Sequence, residues 1–307
     1  MAGGQPSKNK MKKRRQHPVL IAEVGCNHQG NIDIARQFID AAKAVCHVEH
    51  IKFQKRNNRE LLSVVEYAAP HPVPENAYGE SYGAHREHLE FSIEQHQELK
   101  NYCEELGMTY STSVWDVTSL RECIGLSPTY IKVPSATNSN IELLEIACDE
   151  YDGQVHLSLG MTTKIEEERV IETFAKKNRL NDLVVYACTS GYPIQPAEAC
   201  LYEVSRLLEL YGDDLHGIGY SGHHNGIALD IAAFTLGASF IERHFTLDRT
   251  WKGTDHAASL EPDGLRRLSR NLAQVTEALT YKDEEILMIE KPQRDKLKWK
   301  GLSVEIS

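Results

Sequence analysis

Two histidines, His223 and His244, stand at or near the ends of two short β-type runs, GIGYS (217–221) and SFIERHF (239–245). The segment between them, NGIALDIAAFTLGA, has the length and apolar spacing of one helix. A strand–helix–strand unit of this size makes its strands parallel and brings matching strand ends together. Two imidazoles meeting there can share a divalent metal; the same pair also fits a loop residue and a hydrogen-bonded core histidine. Lys52 in HIKFQ and Lys132 in TYIKVPS interrupt apolar runs, where a cation is costly without an anionic partner. They read either as halves of structural ion pairs or as binding groups for an anionic substrate. Glu23, inside VLIAEVG, either orients a ligand near the histidines or pairs with one of the lysines. Thr112, Ser135, Ser158, Ser190 and Ser221 fall at or near five strand ends. Together they would ring one rim with small donors, although turns favour Ser and Thr anyway. Asp255, taken alone, reads as a turn or cap residue.

The elements that must position these residues alternate along the chain. Eight apolar runs are separated by segments of helical spacing: 19–25, 50–54, 109–114, 129–135, 155–160, 183–189, 217–221 and 239–245. Eight β units alternating with helices predict an α/β fold, a closed (β/α)8 TIM barrel. An open doubly wound sheet is the rival, but no Gly-rich dinucleotide loop follows the first run. The connection 56–92 is unusually long and rises from the strand ends where barrel enzymes carry their sites. Its Tyr82 and Arg86 are the residues expected to reach a substrate. Residues 1–17 read as a disordered basic arm, 18–281 as the barrel, and 282–307 as a polar C-terminal extension.

A net charge of −10 argues against a general nucleic-acid surface, and no apolar run approaches a membrane span. The seven cysteines include no CxxC pair, and the N-terminus lacks the apolar stretch of a secretory signal. Both point to reduced thiols and a cytoplasmic location.

Several stretches together carry a family resemblance: AEVGCNHQGN (22–31), IKFQK (51–55), SYGAHREHLEF (81–91), YIKVPSA (130–136), LSLGM (157–161), CTSGYP (188–193), GYSGHHNG (219–226), IERHFTLDR (241–249) and DHAASLEP (255–262). In this order they resemble the sialic acid synthase family, whose members condense phosphoenolpyruvate with N-acetylmannosamine or a related aldose. The resemblance implies that Lys52 and Lys132 bind phosphoenolpyruvate. The Thr and Ser set would hold its phosphate and carboxylate oxygens, Tyr192 would match a site tyrosine, and Asp255 would contact the aldose. His223 and His244 would hold a divalent metal, Mn2+ with Mg2+ or Co2+ as alternatives. Cys26 reads as a buried thiol rather than a ligand, and His28, His224 and His256 as candidates to support the site from behind. A homodimer is expected.

Three departures stand out. The Ser-Asp-His pattern reads Ser221-Gly222-His223, and Ser-Gly-Glu reads Ser135-Ala136-Thr137. The antifreeze-like domain that follows the barrel in many members has no counterpart in these residues. An aspartate restored at 222 is expected to improve metal retention by supporting His223. The predicted activity is a metal-dependent condensation giving a 2-keto-3-deoxy sugar acid and phosphate, with a phosphorylated or modified sugar among the candidates. The alternatives are a Schiff-base pyruvate aldolase using Lys52 or Lys132, and a non-catalytic barrel that binds a sugar or a partner.

Overall fold

The computed structural model describes residues 17–282 and 284–299; apart from His17, the basic arm lies outside the described residues, as does the end of the C-terminal extension. Eight strands form the centre: β1 Val19–Glu23, β2 His50–Lys55, β3 Thr109–Val114, β4 Tyr130–Val133, β5 Gln154–Ser158, β6 Leu183–Cys188, β7 Gly217–Gly222 and β8 Phe240–His244. Each pairs in parallel with the next, and β1 pairs with β8. That last pairing closes the sheet and excludes the open-sheet rival.

Most helices follow their strands as expected. They are α1 Ile32–Asp40, α2 Asn58–Leu61, α3 Val64–Ala68, α4 Tyr82–Leu89, α5 Ile93–Glu105, α6 Val117–Gly125, α7 Ile141–Glu150, α8 Lys164–Lys176, α9 Tyr202–Tyr211, α10 Ala228–Thr235, α11 Pro262–Ala278 and α12 Lys291–Leu297. Their starts are chemically marked. Asn31, Ser92 and Thr163 each accept backbone N–H bonds from the first turn of the helix they precede. The 32–45 segment is not one helix, because a π turn over Ala41–Val45 replaces its last part. The long connection 56–92 holds three short helices, α2 to α4, and so presents Tyr82 and Arg86 from a built element.

Strand alternation divides the side chains. Ile51, Phe53, Ile131, Val133, Val155, Leu157, Val185 and Ile241 face outward and pack with the helices in the main core. Ile21, Tyr130, Val184, Tyr186 and Phe240 form a separate cluster that fills the barrel floor. Above that floor, Glu23 is in register with both Lys52 and His244, Ser113 with Lys132, and Ser221 with Glu242. The barrel is thus aromatic and apolar at one end and charged at the other.

Gly222 corrects an expectation. It lies on the face of β7 turned away from the interior. A Cβ there would sit 3.1 Å from Asp230 Oδ1 and 2.8 Å from the Tyr220 ring. Asp230 on α10 already binds Arg243 at 2.5 Å and lies 3.3 Å from His224. The space beside 222 thus already holds a carboxylate from the neighbouring helix, engaged with Arg243 and His224. An aspartate at 222 would meet a buried carboxylate rather than support His223. We expect Gly222→Asp to destabilise the fold by about 3 kcal/mol or more. Urea unfolding should show this loss, and adding Asp230→Ala should restore part of it.

Candidate active site

A cavity of about 360 Å³ opens at the C-terminal ends of the strands. Glu23, Lys52, Lys132, Ser135, Ser158, Ser190, Tyr192, Ser221, His223, His244 and Asp255 all line it, and the 56–92 connection adds Tyr82 and Arg86. Of the predicted site residues only Thr112 is absent. It stands in register with the outward-facing Phe53 and is fully buried, so the alternation of β3 turns it toward the helices. Its neighbour Ser113 faces inward and accepts a 2.6 Å hydrogen bond from Lys52 Nζ. Its register with the inward-facing Lys132 of β4, which only the fold fixes, puts Ser113 on the inner face.

Four buried charges cover the floor. Glu23 contacts Lys52; Lys52 Nζ lies 3.7 Å from Glu242 Oε1, and Lys132 Nζ lies 2.6 Å from the same oxygen. Lys132 also stands 4.1 Å above the Tyr186 ring. Both expectations for the lysines thus meet in one place, since each is ion-paired and each lines the cavity. Glu242 went unnoticed in the sequence, although it stands two residues before His244 on the same face of β8. The two carboxyls are not equivalent. Burial raises the pKa of Glu23 above the usual carboxylate range against the pull of Lys52. Burial also opposes ionisation of Glu242, but Lys132 and Lys52 outweigh it and hold this carboxyl low.

The two imidazoles meet as predicted, with ring centroids 5.4 Å apart. His223 Nδ1 lies 2.8 Å from the Thr189 carbonyl, which can only accept, so Nδ1 carries the proton and Nε2 keeps a free lone pair. His244 Nδ1 is buried without a hydrogen-bond partner, with Asp255 Oδ2 4.0 Å away. Burial, reinforced by His244, lowers His223 to about 3, and burial lowers His244 as well. Neutral imidazoles with an open nitrogen suit a divalent ion, and these residues fit one. Among the described residues no group of three or more His, Cys, Asp or Glu side chains is arranged to hold a metal.

His28 stacks on Phe91 at 4.0 Å, His224 belongs to the Asp230–Arg243 cluster, and His256 Nδ1 bonds the Thr246 hydroxyl at 2.7 Å. None of the three lines the cavity; each is held by packing or a local hydrogen bond. Cys26 does line it, with Arg56 Nη2 2.9 Å from its sulfur, and burial pushes its thiol up to about 11. A larger, shallow hollow of about 530 Å³ along Lys282–Lys298 holds none of the predicted residues.

A parallel barrel with lysines, paired imidazoles and hydroxyls at its C-terminal rim defines a class of enzymes that work on anionic substrates. Comparison with known proteins is more specific. The NeuB family matches residues 38–284. N-acetylneuraminate-9-phosphate synthase of Mus musculus is 38% identical over 288 residues, 92% of this chain and 77% of the relative. N,N'-diacetyllegionaminic acid synthase of Campylobacter jejuni is 30% identical, covering 85% and 77%. The crystal structure of N-acetylneuraminic acid synthetase from Leptospira borgpetersenii superposes with a TM-score of 0.76 at 29% identity, covering 92% and 93%. This chain belongs to the NeuB family of sialic acid synthases, and it is a transferase of their kind. No helix among the described residues is long and apolar enough to cross a membrane.

Gly25 offers a structural test of the site. Its φ is +56°, and a Cβ there would lie 3.3 Å from Asp255 Oδ2, 3.4 Å from Glu23 Oε1 and 3.6 Å from His244 Cε1. Gly25→Ala should therefore fold with a modest loss of stability, about 1 kcal/mol, while strongly reducing turnover. Thermal melting and a phosphate-release assay on one preparation separate the two effects.

Proposed function

We propose that this enzyme joins phosphoenolpyruvate to the aldehyde of an open-chain aldose, N-acetylmannosamine or a related sugar. The products are a 2-keto-3-deoxy sugar acid and inorganic phosphate. The observation that carries the reading is one cavity holding two buried lysines beside a hydroxyl rim, together with paired neutral imidazoles next to Glu23 and Asp255. The names of the relatives, synthases of N-acetylneuraminate 9-phosphate and of N,N'-diacetyllegionaminic acid, support a sugar-acid product.

Lys52 and Lys132 bind the anionic substrate, turning partly from Glu23 and Glu242 toward its phosphate and carboxylate. Ser113, Ser135, Ser158, Ser190 and Ser221 donate to the substrate oxygens. Ser135 and Ser190 converge, since a Cβ on Gly160 would run into Ser190 Oγ and come within 2.8 Å of Ser135 Oγ. His223 and His244 would hold the divalent metal, Mn2+ with Mg2+ or Co2+ as alternatives, which when bound supplies Lewis-acid polarisation of the aldehyde. Carbon 3 of phosphoenolpyruvate attacks the aldehyde carbon, and the aldehyde oxygen takes up a proton. Glu23, whose burial favours the protonated form, is placed to hold that proton at its carboxyl. Water adds at carbon 2 and loses a proton, and phosphate leaves with cleavage of the carbon 2–oxygen bond. Asp255 orients the sugar near its reacting end, Tyr192 covers the imidazoles at 4.2 Å from His223, and Tyr82 and Arg86 face the sugar from the 56–92 connection. We place the enzyme in the cytoplasm as a homodimer.

Phosphate release should require both phosphoenolpyruvate and an aldose. It should stop on chelation and return with Mn2+. Full activity in metal-free protein, or in the His223→Ala/His244→Ala double variant, would remove the metal from the reaction. A borohydride-trapped pyruvate adduct on Lys52 or Lys132 would favour the aldolase instead.

A further inference from the structure

A buried side-chain link joins the backbones that carry the two imidazoles, and the chemistry above makes no use of it. The β7–β8 ladder ends where Gly222 stands in register with Arg243. His223 is the first residue beyond that rung on one side, and His244 follows it on the other. Past the rung, the Arg243 side chain continues the connection. Its Nη2 donates to the His224 carbonyl at 2.6 Å, and its Nη1 donates to the Gly226 carbonyl at 2.8 Å. The same Nη1 meets Asp230 Oδ2 at 2.5 Å, in the first turn of α10, and lies 3.2 Å from His224 Nε2. Arg243 is 1% exposed, and Asp230 is fully buried.

Packing alone does not call for such a pair. Burying both ions is costly, and apolar side chains of similar volume are often as stable. Ile241, two residues earlier on the same face of β8, fills its place in the wall in that way. What a guanidinium adds is direction, because its planar fork can hold two carbonyls at once. Both carbonyls belong to the loop that follows His223. The fork therefore ties that loop to the residue beside His244. The Thr189 carbonyl fixes the rotation of the His223 ring, whereas the fork fixes where its backbone stands relative to β8. The ring centroids, 5.4 Å apart, depend on both.

We propose that Arg243 is a positioning residue for the metal. It locks the loop after His223 against β8 and so sets the separation of the two imidazoles, while Asp230 neutralises the guanidinium and holds it in place. The assignment rests on the metal reading of His223 and His244 given above. Arg243 does not line the cavity and acts only through the histidines. Ligands must be held within about 0.5 Å of their working geometry, so a loop released from β8 loses the ion while the lysines and serines keep phosphoenolpyruvate.

The test is Mn2+ binding to the whole protein, read from the electron paramagnetic resonance signal of the free ion. Thermal melting and metal-free calorimetry with phosphoenolpyruvate are run on the same preparations. Arg243→Lys keeps a charge beside Asp230 but loses the fork. It should weaken Mn2+ binding about 10-fold or more and leave phosphoenolpyruvate affinity within about twofold. Asp230→Asn leaves the fork on both carbonyls but strips its counter-charge. It should lower the melting temperature at least as much as Arg243→Lys, yet keep Mn2+ affinity within about threefold. A purely structural pair would not split in this way, because metal loss would then follow stability. The Asp230→Asn/Arg243→Gln double variant buries no lone charge, serves where Arg243→Lys fails to fold, and should show the same metal loss. Mn2+ affinity close to wild type in the folded Arg243 variants, or a loss in Asp230→Asn that matches its drop in melting temperature, would overturn the positioning role alone. Wild type that binds no Mn2+, or a His223→Ala/His244→Ala variant that binds it as tightly, would overturn the metal reading and the positioning role with it.

Discussion

The site depends on one constraint: two ammonium groups and two carboxylates are buried together on the barrel floor. Each ion alone would cost several kcal/mol to desolvate. Glu23, Lys52, Glu242 and Lys132 lie within one chain of contacts, in which each lysine has a carboxyl beside it. The pairing lets cations wait in a dry place for an anionic substrate. It also explains the unequal carboxyls, because Glu242 touches both lysines and remains ionised while Glu23, mainly governed by burial, is pushed toward its protonated form.

The barrel makes this placement inexpensive. Parallel register brings Glu23 level with Lys52 on one side and His244 on the other, so the charged residues arrive from neighbouring strands at one height. Beneath them the aromatic layer of Tyr130, Tyr186 and Phe240 closes the interior, and His156 stacks on Tyr130 at 4.2 Å. Above them the connections supply what varies. The 56–92 segment is tied across the mouth to the loop bearing Asp255, since Tyr78 donates to the Lys252 carbonyl at 2.6 Å and Lys252 lies over the Tyr78 ring. Loop and catalytic rim are thus mechanically joined.

Much of this was legible in the sequence. Eight apolar runs gave the closed barrel, and Lys52 and Lys132 within strands together with His223 and His244 at or near strand ends pointed to the cavity. What was missed follows from parity and from distant partners. Thr112 is expected at a strand end, but composition does not show which face of a strand is inward, and the register of β3 with β4 turns Ser113 inward instead. Glu242 was passed over for the same reason. Gly222 reads in sequence as a lost support for His223, yet it faces away from the interior toward Asp230 on α10, and His223 is held instead by the Thr189 carbonyl. His28, His224 and His256, expected behind the site, do not line the cavity, and packing or a local hydrogen bond holds each of them. The long connection showed its importance by length alone; the backbone N–H contacts that hold His71 and His85 exist only in the fold.

The claim that the floor lysines are reserved for the anionic substrate is tested most directly by phosphoenolpyruvate affinity, measured by titration calorimetry without aldose. Loss of a charge-assisted contact should weaken binding about 10- to 100-fold in Lys52→Ala and in Lys132→Ala, with the folded state confirmed by circular dichroism. Unchanged affinity in both folded variants would contradict the account and leave the four charges as a purely structural cluster.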